Sequence, residues 1–206
     1  MAAQLPVVFR SGGGDNRFSF DFFDAAAGAG YKRFYPAAAI NSAATTYFLT
    51  TEAVGGDFDQ RSTGIVNSNF ELNFDITFNN PVVIAAADAI INWTFSTSGN
   101  ADVYAIFTVY HVDAAAAETS LGTITSNTRT NVGASEIRRL SKVVLTSKSV
   151  AIGEKLRLEI RFFTSGAGTT STLWYDPSGR QTKTESGSGA TISTNMTIDI
   201  PFKVDI

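Results

Sequence analysis

The chain of 206 residues holds one histidine, His111, and no cysteine, and these two counts bound most of the chemistry open to it. Without thiols, disulfide frameworks, thiolate metal sites and cysteine nucleophiles are excluded. A single imidazole builds no multi-histidine metal site and leaves one possible base for a serine nucleophile. His111 falls between Tyr110 and Val112 in an apolar segment, where packing is the ordinary fate of the ring and a whole catalytic constellation would still be required. Asp57 and Asp59, in Gly55-Gly56-Asp57-Phe58-Asp59, have the one-residue gap of calcium-loop carboxylates. The other spaced oxygen ligands and the distal Glu are missing, so a solvated turn is expected. Trp93, Trp174 and Tyr175 are the residues suited to stacking on a sugar. Trp93 alternates with Ile91 and Phe95 and reads as core, whereas Trp174-Tyr175 lies beside a turn and is the aromatic pair to test for ligand contact. No Walker loop or dinucleotide fingerprint occurs, and the glycines at 12–14 and 28–30 precede no helical pattern that would hold a phosphate. Paired carboxylates for glycoside hydrolysis leave no positional signal. The residues therefore predict no catalytic site, no metal and no cofactor.

What must position these side chains is a sheet. Hydrophobic residues make up 44% of the chain and Phe occurs 16 times, enough apolar surface to close one core without staples. The length suits one large β domain, and the predicted division is an N-terminal arm over 1–16 and a single domain over 17–206. The charged fraction of 17% is below the roughly 25% of ordinary soluble domains; such a neutral, small-featured surface suits contact with neighbouring subunits. A net charge of −3 with scattered Lys and Arg gives no footprint for nucleic acid. No apolar run approaches about 18 residues and no secretory signal is visible, so neither membrane insertion nor export is expected.

Along the chain the period is two, not 3.6. Leu5 to Phe9 runs into Ser11-Gly12-Gly13-Gly14 as an extended arm with Leu5, Val7, Val8 and Phe9 as its anchors. Phe18, Phe20 and Phe22 make a short strand, Ala25 to Gly30 a turn or brief helix, and Thr45 to Thr51 the next strand. Phe70, Leu72, Phe74, Ile76 and Phe78 alternate with polar residues, as do Leu156, Leu158, Ile160 and Phe162 with Lys155, Arg157, Glu159 and Arg161: half-buried strands. Ile91, Trp93 and Phe95 alternate similarly. Val103 to Val112 is apolar on both faces and is expected to be central and covered on each side. Ala114 to Ala117 is too short for a helix and reads as a hairpin loop. Further strands are expected at Thr119–Thr125, Leu140–Thr146 and Thr172–Tyr175, with turns at Asp176–Gly179 and Glu185–Gly189. From Ile192 to Ile206 the even positions are apolar except Thr194. Pro201 falls on the polar face, so the strand is expected to bend, cross between sheets or continue onto a neighbour there. Strand signals every 8–12 residues or a little more predict an all-β, antiparallel β-sandwich, with a jelly roll as one topology the spacing allows.

Several segments, in order along the chain, resemble a group of tailed-bacteriophage virion proteins. They are Asp24-Ala25-Ala26-Ala27-Gly28-Ala29-Gly30-Tyr31 with Phe34-Tyr35, Thr45-Thr46-Tyr47-Phe48-Leu49, Glu154-Lys155-Leu156-Arg157-Leu158, Leu173-Trp174-Tyr175-Asp176-Pro177-Ser178-Gly179-Arg180, and the closing Ile200-Pro201-Phe202-Lys203-Val204-Asp205-Ile206. The resembled proteins carry a His-Asp-Pro type sequence where this chain has Tyr175-Asp176-Pro177, which argues against a shared ligand there. The resemblance implies a virion structural role without catalysis or cofactor. The leading form is a capsid decoration (cement) protein on the outer surface of the head, a homo-oligomer bound to the major capsid protein and other virion subunits. Tail, baseplate or head-to-tail structure is the alternative, and a virion-displayed carbohydrate-binding module the further one.

Overall fold

A computed structural model describes residues 18–19, 29–41, 44–53, 60–62, 69–165, 169–175, 183–184, 191–192 and 196–203. The arm with Leu5, Val7, Val8 and Phe9, the Asp57/Asp59 segment, the turns at 176–179 and 185–189, and Val204 and Ile206 lie outside the described residues. The described strands run β1 Phe18–Ser19, β2 Ala29–Asn41, β3 Ala44–Thr50, β4 Gln60–Ser62, β5 Asn69–Thr77, β6 Val82–Ile84, β7 Asp88–Thr97, β8 Ala101–Val112, β9 Glu118–Thr125, β10 Arg129–Val132, β11 Ile137–Val144, β12 Lys148–Val150, β13 Lys155–Ser165, β14 Ser171–Trp174, β15 Lys183–Thr184, β16 Thr191–Ile192 and β17 Thr197–Lys203. No helix occurs among the described residues. The expected fold class holds: the chain is an all-β protein.

One hydrogen-bonded network, ordered β10-β8-β13-β5-β3-β2-β17-β7-β14-β4, folds back on itself and comes close to a barrel. Its pairings are antiparallel except one, Phe48 of β3 beside Asp75 of β5, which is parallel. The turning point is β2, whose first half pairs with β17 and whose second half pairs with β3. This 13-residue strand is absent from the sequence expectation, because Pro36 and the alanines at 37–39 carry little strand propensity. Ala37 and Ala38 are fully buried: small side chains fit where the two halves converge.

Between the halves lies the core. Leu156, Leu158, Ile160 and Phe162 of β13 and Leu72 and Phe74 of β5 are buried, facing Ile91, Trp93 and Phe95 of β7 and Ile198, Ile200 and Phe202 of β17. Trp93 stacks on Phe95 at 4.7 Å and meets Phe107 edge-on at 5.3 Å, so the indole ties β7 to β8 on the opposite half. These alternations are as predicted, and so is the Ala114–Ala117 link, a turn with Ala116 at φ 64°. β8 is central, between β13 and β9/β10, and corrects an expectation only in part: Val103, Ala105, Phe107, Val109 and Val112 are buried, but Tyr104, Ile106 and Tyr110 are only half-buried. On its outer face Tyr104 stacks on Phe163 of β13 at 4.7 Å.

Pro201 does not break β17. The strand pairs with β7 at 197–199 and then with β6 at Phe202, and the Pro201 carbonyl accepts from Ala85 N–H at 3.0 Å. A strand residue's N–H and C=O point to one side, so the missing donor faces the place where one partner strand gives way to the next.

Candidate functional site

The strand register sorts the outer face of the β2–β17–β7–β11 half into rows. Cα partners place Leu140 beside Asn92 and Asn92 beside Thr197; the next row runs Lys142, Ile90, Asp199, Arg33. Paired residues in a ladder project to the same side. Six of these residues, all but Lys142, join Tyr35 and Arg138 to line a half-open depression of about 310 Å³, bounded by Arg33, Tyr35, Ile90, Asn92, Arg138, Leu140, Thr197 and Asp199.

Its polar groups are held in planar pairs. Arg33 donates from Nε and Nη2 to the two carboxylate oxygens of Asp199 at 2.8 and 2.9 Å, and that pairing holds the guanidinium more firmly protonated. Arg138 Nε donates to Asn92 Oδ1 at 2.8 Å. Beside the depression Lys142 pairs with Asp88 at 2.6 Å. Leu140 is 65% exposed and Ile90 39%, large aliphatic side chains on a face where alternation calls for polar ones.

None of these residues was singled out by sequence as part of a site. Arg33 and Asp199 lie 166 positions apart and Arg138 and Asn92 46 apart, and only the pairing register brings them together. The nearest signal was the Arg138-Arg139 pair, which reads as scattered charge.

The aromatic pair does not act as one platform. Successive strand residues point to opposite faces: Leu173 and Tyr175 are buried, with Tyr175 edge-on to Phe74 at 5.3 Å and to Tyr47 at 6.1 Å. Tyr175 is thus a core residue and presents no ring to a ligand. Trp174 is half-buried on the outer face and donates from Nε1 to Ser96 Oγ at 3.0 Å. It lies opposite Thr94 on β7, and its indole leans toward Ser96, away from Asn92.

His111 is buried at the end of β8, where its Nε2 hydrogen-bonds Glu154 Oε2 at 2.7 Å and its Nδ1 is enclosed without a partner. Donation to a carboxylate requires the proton on Nε2. Glu154 Oε2 also accepts from Ala151 N–H at 2.7 Å; this backbone bond first, and His111 second, hold the Glu154 carboxyl below its ordinary value. The arrangement clamps the turn between β12 and β13, where Gly153 takes φ +83°. A carboxyl lowered in the fold stabilises it above the unfolded value and loses that contribution as pH falls through the lowered one. Amide exchange at Ala151 should therefore accelerate as pH drops below about 4.5 relative to the intrinsic rate, and Glu154→Gln should flatten that profile. A turn equally protected at pH 3 and pH 6 would contradict the clamp.

No family model matches the chain, and no curated protein matches it. Solved structures do. A CocE/NonD family hydrolase from Staphylococcus aureus is similar at TM-score 0.53 and 11% identity, over 85% of this chain and 37% of that one. An aminopeptidase from a marine sediment archaeon, Thaumarchaeota archaeon, gives 0.52 and 11%, over 85% and 37%. An α-amino acid ester hydrolase gives 0.53 and 8%, over 84% and 36%. The chain spans little more than a third of the length of these proteins, and at such identities the likeness establishes the β fold alone.

Proposed function

We propose that the chain is a structural protein of a tailed-bacteriophage virion and, within that class, a non-enzymatic capsid decoration protein that binds the major capsid lattice on the outer surface of the head. One observation carries this reading: the segments that resemble phage virion proteins converge on the core. Phe34, Leu49, Leu156, Leu158, Leu173, Tyr175, Ile200 and Phe202 all belong to one buried cluster, with Tyr47 packed against it. What those segments build is a framework, and a framework is what a subunit that works by occupying a place requires. His111, the one imidazole, is enclosed with Glu154, which supports the non-enzymatic part of this reading.

Such a protein acts by burying surface across subunit junctions, typically more than about 1,000 Å² per specific interface. The anchors we assign are Leu5, Val7, Val8 and Phe9, which the glycines at 12–14 follow in the sequence. Purified protein mixed with undecorated heads should appear as density at hundreds of positions per head. Density on the tail or at the neck in a few to a few dozen copies would replace decoration with tail, baseplate or head-to-tail structure, and no density would end the proposal. Deleting residues 1–10 should reduce head occupancy while leaving the thermal midpoint of the soluble protein unchanged; full occupancy without them would discard the arm as the anchor.

A further inference from the structure

We infer that the depression on the β2–β17–β7–β11 face is a binding site for a neutral saccharide, held by Asn92, Arg138, Thr197, Asp199 and Arg33 and backed by Tyr35, Ile90 and Leu140. The inference stands independently of where the protein sits on a particle.

Size, charge and surface chemistry lead to the same ligand. A volume of about 310 Å³ is at the lower end of the roughly 300–1,000 Å³ of small-molecule sites, and the open mouth suits the end of a chain whose remainder stays in solvent. Arg33 is neutralised by Asp199 and Lys142 by Asp88, so an anionic ligand meets ion pairs it would have to disrupt and gains little. Sugar hydroxyls both donate and accept, and the floor offers both in alternation: guanidinium donors, a carboxylate, an amide and the Thr197 hydroxyl. The pairs are already formed, and they sit on strands, so little freedom is lost on binding. Arg33 keeps 55% of its side chain exposed while bound to Asp199, which places a fixed donor edge at the mouth. Beside these lie the phenol ring of Tyr35 and the aliphatic surfaces of Ile90 and Leu140, suited to the C–H face of a pyranose. A nucleotide or phosphate ligand would call for several cations in excess, and here Arg33 and Lys142 are each held by a carboxylate and Arg138 Nε by the Asn92 amide.

The location separates this site from one built on Trp174, whose indole is engaged with Ser96 and does not line the depression. The test uses the purified full chain on an array carrying neutral oligosaccharides of glucose, galactose, mannose and N-acetylhexosamines beside sialylated and sulfated ones, followed by calorimetry with the free oligosaccharide bound best. A neutral glycan is expected to bind. Asn92→Ala, which removes the acceptor of Arg138 Nε, and Leu140→Asp, at a position 65% exposed and so harmless to folding, should each weaken it by about tenfold or more. Trp174→Ala should change affinity less than about twofold, and the thermal midpoints of Leu140→Asp and the parent should agree. Binding of acidic glycans alone, absence of any binding, or affinity lost in Trp174→Ala but kept in Asn92→Ala and Leu140→Asp would each overturn the assignment. Head occupancy is a separate measurement, so loss of either conclusion leaves the other standing.

Discussion

Trp93→Ala is expected to lower the unfolding free energy by about 3–5 kcal/mol, the range for deleting a buried large aromatic. Trp93 is fully buried on β7 and meets both halves of the sandwich. It stacks on Phe95 within its own strand, and reaches Phe107 of β8 at 5.3 Å and Phe162 of β13 at 6.5 Å across the core. Its Nε1 donates to Ser141 Oγ of β11 at 3.0 Å, so alanine removes the ring and also leaves that hydroxyl unpaired. The neighbouring residue in sequence, Asn92, faces the opposite side and floors the depression; the indole is thus the support beneath the candidate site. Urea unfolding followed by far-UV circular dichroism checks the figure. A loss below about 0.5 kcal/mol, the scale of an ordinary surface substitution, would mean that β7 is not packed between the halves as described. Trp93→Phe, which keeps most of the apolar surface and forfeits the hydrogen bond, should fall between the parent and alanine.

The parts of this fold legible in sequence are those where one face is wet and the other dry. β5 and β13 pair along nine residues with Arg157 opposite Asp75 outside and Leu158 opposite Phe74 inside, and alternation of that kind states both the strand and its orientation. β17 was legible from its inward row Ile198, Ile200 and Phe202, although Thr197 and Pro201 on the other face are buried as well. β2 was not, because its middle consists of Pro36 and alanines whose smallness serves the junction of two halves, and smallness has no period. Short strands such as β6, β10 and β12, of three or four residues, carry too few positions to show alternation. Period two also contained the answer on Trp174 and Tyr175: neighbours in a strand cannot share a face, so their adjacency in sequence argued against a joint platform. The depression depended on register, which couples residues from four strands, and no local pattern encodes it.

The other large effect is expected at Gly122, and it concerns how the sandwich closes. β9 pairs with β8 through a bulge, with Val109 opposite Gly122 and Tyr110 opposite Ser120, which leaves Leu121 as the extra residue. The Leu121 carbonyl accepts from Thr146 N–H at 2.8 Å and from Thr146 Oγ1 at 3.2 Å, so the bulge turns β9 toward the end of β11 and fastens the two halves along that side. Gly122 permits the approach. A Cβ added there would sit 2.3 Å from the Val144 carbonyl oxygen, 3.0 Å from Val143 Cγ1 and 3.1 Å from the Val144 carbonyl carbon. The first and third of these are backbone atoms, unable to rotate away, and β11 is held in place by eight register pairs with β7. Gly122→Ala should therefore cost about 1–3 kcal/mol, toward the upper end of the usual overpacking range, and speed amide exchange at Thr146, whose donor closes the seam. Gly133→Ala supplies the control. A Cβ there meets nothing within 4 Å, and removing glycine's freedom from the unfolded chain should stabilise by about 0.4–1 kcal/mol. Both changes lower the entropy of the unfolded state alike, so a difference of opposite sign between them isolates the contact with Val144. Equal and small effects at the two positions would show that β9 and β11 do not meet there, and the near-closure of the sandwich would fail with that contact.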